Sequence, residues 1–155
     1  MSDLHETHDE IETRDLIFKA KDRKEVIVPV EEWGVTILLI ALSGTKRSDY
    51  FAFHNNTSQQ HKGTGEFFKR VFFEQVRLAA FHPKTRKPIF KEADRDTLMD
   101  EHNGAIIEEL AAMVRELSDL DRSTIDVAKK KLESIQKDIG TIKSLKNSTT
   151  PMLMN

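Results

Sequence analysis

Residues 25–42, Glu25-Val26-Ile27-Val28-Pro29-Val30-Glu31-Glu32-Trp33-Gly34-Val35-Thr36-Ile37-Leu38-Leu39-Ile40-Ala41-Leu42, decide how the fold is read. The first six are short and rich in β-branched side chains, which suits a strand. Pro29 cannot donate to a ladder, so this strand sits at a sheet edge or ends its pairing there. Glu31-Glu32-Trp33-Gly34 reads as a turn, with Gly34 free to take a positive φ. Val35 to Leu42 is a continuous apolar run, the pattern of a strand buried on both faces. Together the two strands make a hairpin. A lone hairpin is marginal in water, so helices or another subunit must cover it.

The segments that follow supply helices. Ser43 or Thr45 can cap one running through Tyr50 and Phe51 towards His54, and the polar stretch from Asn55 to Lys62 reads as a loop. Thr64 caps the next. Phe68, Phe72, Val76 and Ala79 share one face of it, widened by Phe67, Val71 and Leu78. His82-Pro83 and Pro88 break this helix. Asp94 or Asp96 caps a short helix through Leu98 and Met99, which Asn103-Gly104 interrupts. Ile106, Ile107, Leu110, Met113, Val114 and Leu117 form another amphipathic helix. Ser123-Thr124-Ile125-Asp126 resembles a capping box with Asp as its acid, opening a last helix to about Lys146. In that helix Ile125, Ala128, Leu132, Ile135, Ile139 and Ile142 alternate in steps of three and four, an a/d seam. Such a seam either docks on its own domain or binds a partner.

The expected fold is therefore α+β and mostly helical. An N-terminal hairpin near 25–42 is packed by four or five helices, and a long helix lies at the C-terminal end. Four segments are expected: a flexible acidic arm at 1–14, a core at 15–122, a heptad helix at 123–147 and a flexible tail at 148–155.

Composition narrows the function. The 155 residues hold 24 Lys plus Arg against 26 Asp plus Glu, a net charge of −2, which excludes an overall polycation. There is no Cys, so disulfides, thiolate metal sites and a Cys nucleophile are excluded. The run Val35–Leu42 is far shorter than the ~20 residues of a membrane-spanning helix. The start carries no basic-then-apolar leader pattern, and a cytoplasmic protein with no membrane contact is expected.

Catalytic motifs are poorly represented. His5 and His8 sit among acidic residues without the spacing of a His-Glu-x-x-His metal site. His54, His61, His82 and His102 fall in different elements. Gly63-Thr64-Gly65 and Gly44-Thr45-Lys46 lack phosphate-loop spacing, and no Gly-x-Ser-x-Gly occurs. Glu31-Glu32 and Glu108-Glu109 are adjacent, so their carboxylates do not face each other. No enzyme, cofactor or metal site is expected. The segment Lys62–Lys91 mixes Lys and Arg with Phe67, Phe68, Phe72, Phe73, Phe81 and Phe90, as single-strand binders do. The Phe residues fall mostly on one helix face, where a core wants them. A small nucleic-acid-binding regulator is thus the disfavoured alternative.

The order of several segments resembles a known family. Val28-Pro29-Val30-Glu31-Glu32-Trp33-Gly34 precedes an apolar strand, and Leu42-Ser43-Gly44-Thr45-Lys46-Arg47 opens a helix. Pro88-Ile89-Phe90-Lys91-Glu92-Ala93-Asp94 with Leu98 comes later, and Leu117-Ser118-Asp119-Leu120 closes an apolar helix. Over roughly residues 25–125 this is similar to the tail assembly chaperones of long-tailed, siphovirus-type phages and prophages. Four differences stand out. The turn has an extra residue, Lys87 precedes Pro88 where the family often has Gly, and Asp119 replaces the usual Gly of the exit. The C-terminal heptad helix is also longer than the family pattern.

The resemblance implies a protein without an active site. It would bind the phage tape-measure protein, keep it soluble and help recruit tail tube subunits. It would work in the cytoplasm of an infected or lysogenic bacterial host and be absent from the mature virion. Homo-oligomers are compatible with this role. Members are often made in a short and a frameshifted long form, and Lys129-Lys130-Lys131 could be encoded by a slippery adenine run. The partner-binding candidates are Ile125, Leu132, Ile135, Ile139 and Ile142 on the seam, with Met152, Leu153 and Met154 at the end. Pro29, Trp33 and Gly34 are assigned to the turn, with Trp33 bracing the hairpin.

Overall fold

The structure, a computed structural model, describes residues 7–149, with side chains described up to residue 141. The chain divides into two compact units, Met1–Ser118 and Asp119–Asn155.

In the first unit the hairpin is β1 (Glu25–Val30) and β2 (Val35–Ile40), antiparallel and in register from Glu25 opposite Ile40 to Val30 opposite Val35. A 3-10 turn, Glu31–Trp33, joins them. Gly34 takes φ 65° there and donates its N–H to the Glu31 carbonyl at 3.0 Å. A third strand, β3 (Ala80–Phe81), pairs with the other side of β2, giving the order β1-β2-β3. Its two residues directly follow a helix, so no period-2 pattern marks them. The buried part of β2 is Ile37–Ile40, while Val35 and Thr36 are exposed near the turn.

Helix α1 (His8–Lys19) covers the second half, 8–14, of the stretch expected to be a flexible acidic arm, and that half is helical. A capping box explains it. Thr7 Oγ1 accepts from the Glu10 N–H, and the Glu10 carboxylate accepts from the Thr7 N–H. The acidic side chains of its first turn also favour a helix N-terminus. Its apolar residues Ile11, Leu16, Ile17 and Phe18 are all exposed.

Helix α2 (Gly44–His61) starts on Ser43, whose Oγ accepts from Lys46 N–H. It continues through Asn55–His61, which polarity alone assigned to a loop. Helix α2 packs on α3, and Thr57 in this half is buried. Helix α3 (Gly65–Ala79) is capped by Thr64. It is the hub of the unit, packed against α2, β2, α4 (Arg95–Glu101) and α5 (Gly104–Leu117). Being surrounded, it is buried on several sides in its second half. Phe73 is its deepest ring at 1% exposure, whereas Phe68 is 51% exposed and Phe67 and Phe72 are half-buried. Val71, Val76, Leu78 and Ala79 of the expected face are buried, and of that face Phe68 alone is exposed, while the core extends round the helix to Phe73.

Helix α5 starts on Asn103, whose side chain accepts from Ala105 N–H at 3.0 Å. It buries Ile106, Ile107, Leu110, Ala111 and Val114. Phe73, Leu98 and Ile107 form one core cluster, against which Trp33, Phe72, Phe90 and Met99 pack. Leu38, Ile40 and Phe81 form a second on the sheet. Inside, Gln75 donates to the Tyr50 hydroxyl at 2.7 Å and accepts from Arg115 at 2.9 Å, a polar link between α2, α3 and α5. Because Gln75 is buried, these bonds replace the water it gave up.

The second unit contains α6 (Thr124–Thr149), which starts on Ser123: its Oγ accepts from Asp126 N–H at 3.3 Å.

Candidate partner-binding surfaces

The segments that carried the resemblance meet in space. The Trp33 turn, Phe90 and Leu98 all reach the Phe73–Ile107 cluster, and Trp33 also lies edge-on to His102 at 5.8 Å. The Ser43–Arg47 start of α2 meets the end of α5: Arg47 donates to the Ser118 carbonyl, and Ser118 Oγ accepts from Leu42 N–H at 3.1 Å. Lys46 Nζ donates to the Leu78 carbonyl at 3.1 Å and lies 4.4 Å from the Phe81 ring. Two successive cations thus sit on the C-terminal carbonyls of α3 and α5, where the helix dipole favours positive charge. Burial, together with the charges of Arg23 and Arg77, pushes the Lys46 amine down from its ordinary range. Engaged in this way, Lys46 serves the fold rather than a phosphate. Asp119 has φ 51°, a left-handed conformation that glycine takes without strain.

The basic, Phe-rich segment also works within the fold. Lys69 pairs with Asp96 and Asp100, each at 3.2 Å, Arg70 with Glu66 at 2.7 Å, Arg77 with Glu74, and Arg86 with Glu25. These carboxylates hold Lys69, Arg77 and Arg86 more firmly protonated than usual. The rings form a continuous row, Phe51-Tyr50-His54-Phe67-Phe68-Phe72, with centroids 5.3–5.9 Å apart across α2 and α3. Rings packed edge-on or tilted against each other, and cations paired with carboxylates, leave less for bases and phosphates. Lys62, Lys84, Lys87 and Lys91 remain exposed.

Among the described residues, His8, Asp9 and Glu12 place ligand atoms within 4.8 Å of one another on exposed α1. His5 lies outside the described residues. His82 is engaged in its own turn, where its Nδ1 accepts from the N–H groups of Lys84 and Thr85. Among the described residues, no helix is long and apolar enough to cross a membrane.

Uncovered apolar groups are the main surface feature. On α6 the seam residues Ile125, Leu132, Ile135 and Ile139 are 68%, 56%, 53% and 47% exposed. On the first unit Ile11, Leu16, Ile17 and Phe18 of α1, Val26 and Ile27 of β1, and Phe51 and Phe68 are exposed. Neither the α1 group nor the β1 pair was singled out from sequence. Their signal was the unpatterned Leu16-Ile17-Phe18 run and the edge-strand proline. The side chain of Ile142, and Met152, Leu153 and Met154 entirely, lie outside what the structure describes.

No family model matches the chain, and no curated protein matches it. A structure of the bacteriophage HK97 tail assembly chaperone is similar to it, with a TM-score of 0.45 and 14% sequence identity. The match covers 69% of this chain and 94% of that one.

Proposed function

We propose that this chain is a tail assembly chaperone of a long-tailed phage or prophage. In this reading it binds the apolar tape-measure protein, keeps it soluble and helps recruit tail tube subunits. It acts in the host cytoplasm, is left out of the finished virion and catalyses no reaction. The observation that carries the reading is the convergence of the family-like segments. Residues around 33, 90 and 98 share one cluster, and those around 42–47 bond to Ser118. Local composition would not bring such distant segments to the same joints.

The exposed apolar groups fit the role, because apolar surface left in water marks a protein contact. The partner-binding residues are Ile125, Leu132, Ile135 and Ile139 on α6, with Ile142, Met152, Leu153 and Met154 following in the sequence. Exposed α1 and β1 add apolar surface in the first unit.

Co-expression with the longest neighbouring tail open reading frame, then pull-down and light scattering, tests this. Soluble co-purification of an otherwise insoluble protein is expected. A large protein that stays insoluble while this chain elutes alone would overturn the reading. Steeply salt-dependent binding to single-stranded DNA in the same preparation would favour nucleic acid instead.

A further inference from the structure

We infer that the open edge of β1 takes an extended, acidic segment of a partner protein as an added strand of the sheet. The inference rests on the reading of β1 as part of a partner contact and adds the chemistry of the segment taken there. The register fixes which backbone groups are free. Ala41 donates its N–H to the Lys24 carbonyl at 2.8 Å, one step beyond the pairing of Glu25 with Ile40. Along an antiparallel ladder, hydrogen-bonded and non-bonded pairs alternate, so Val26, Val28 and Val30 bond to β2. Glu25, Ile27 and Pro29 turn their backbone groups to the open side. Pro29 therefore lacks a donor only where no strand lies, and the sheet tolerates it. The N–H groups of Glu25 and Ile27 have no partner among the described residues. The side chains there are open as well, Val26 at 40% and Ile27 at 62% exposure.

Charge selects the occupant. Lys21, Arg23 and Lys24 lead into β1, and Lys84, Arg86 and Lys87 lie in the turn after β3, all exposed. Glu25 and Ile27 share one face of the sheet with Leu38 and Phe81, since directly paired residues point the same way. Arg86 pairs with Glu25 and so brings the two basic segments together around a cleft of about 770 Å³. Of these cations, Arg86 alone has a carboxylate partner among the described residues. The turn is already formed. His82 N–H donates to the Lys87 carbonyl at 2.9 Å, and Arg86 N–H donates to the His82 carbonyl at 2.8 Å. Its cations are thus positioned before binding, which lowers the ordering cost. An added strand places every second side chain on the Glu25 face, where acidic residues complement the cations. Its other side chains lie beside exposed Val26, which favours β-branched apolar residues. A nucleic acid would use the cations but leave the ladder groups, Val26 and Ile27 without partners.

Fluorescence anisotropy of the full chain with a labelled Glu-Val-Glu-Val-Glu-Val peptide tests the site. A dissociation constant of about 100 μM or tighter is expected at low salt. Replacing each Glu of the peptide by Gln should weaken binding roughly tenfold, and so should Lys21→Glu with Arg23→Glu in the chain. Amide exchange at Glu25 and Ile27, followed by NMR, should slow roughly tenfold in the complex, because strand addition bonds both N–H groups. Ile27→Pro removes one outward donor without touching the β2 ladder and should abolish binding while Trp33 fluorescence is unchanged. A peptide methylated on every backbone nitrogen should also fail to bind, and it tests the ladder without altering the chain. Absence of binding at about 1 mM peptide overturns the inference. Equal binding of the Gln peptide, or binding without slowed exchange at Glu25 and Ile27, does the same. Displacement by an oligothymidylate of equal charge, at the peptide's own affinity, assigns the cations to phosphate and overturns the choice of a protein segment. Co-purification with the tape-measure protein is a separate readout: success there with no peptide binding strikes this inference alone, and the reverse strikes the tape-measure reading.

Discussion

Ser118 and Leu42, 76 residues apart, are joined by a hydrogen bond of 3.1 Å from the Leu42 N–H to the Ser118 hydroxyl. Both residues are buried, so the Leu42 N–H has no water to turn to. The bond fastens the end of α5 to the chain just beyond β2, and Arg47 reinforces it from α2 through the Ser118 carbonyl. Ser118→Ala removes the acceptor and leaves a buried donor. A loss of about 1–3 kcal/mol is expected. A thermal melt followed by circular dichroism checks it, with a fall in Tm of roughly 5–15 °C.

The core face of α3 makes a paired prediction. Phe73 is enclosed by Leu98 and Ile107, so Phe73→Ala should cost about 3–5 kcal/mol. Phe68 touches Phe67 and Phe72 by its ring but is half in solvent, so Phe68→Ala should cost less than about 1 kcal/mol. Urea unfolding of the two variants gives the comparison. Equal losses would return the core to the Phe68–Phe72 line.

Acid should weaken the anchoring of β1. The Arg86 guanidinium beside Glu25 holds its carboxyl below the usual carboxylate range. A carboxylate with a depressed folded-state pKa contributes stability that is complete above its unfolded value. That contribution is lost as pH falls through the folded value. Glu25→Gln should therefore be less stable than wild type near neutrality, and the two should converge in acid. The pair is exposed, so the difference should also shrink in high salt. Denaturant midpoints measured across the acid range, at low and high salt, show both trends.

Gly140 offers a gain. It lies inside α6, where glycine costs about 1 kcal/mol relative to alanine, and its Cβ position is open. Gly140→Ala should raise the helical signal. An unchanged or weaker helical signal by circular dichroism would mean that this side of α6 is not free.

The hairpin, the caps at Ser43, Thr64 and Ser123, and the periodicity of α5 and α6 were legible in the sequence. Each is a property of residues a few positions apart: β-branched runs, a hydroxyl before a helix, apolar residues every three or four. The capping box of α1 was written in Thr7 and Glu10 by the same local rule, but the acidic composition hid it. The candidate seam was legible for the same reason, as a spacing along a single helix.

What remained was decided by which surfaces meet. β3 is a strand only because Ala80 and Phe81 lie beside β2. Helix α2 extends through polar residues because Thr57 packs inward, and Phe73 is the central ring because α3 is surrounded. The exposure of α1 and of the α6 seam likewise follows from what does and does not cover them. The sequence by itself determined local conformation and the α+β, mostly helical class, since neighbouring side chains and caps act over one or two turns. Only the tertiary structure decided that Leu42 would find its acceptor on Ser118, because a buried backbone donor is satisfied by whatever group the packing places next to it.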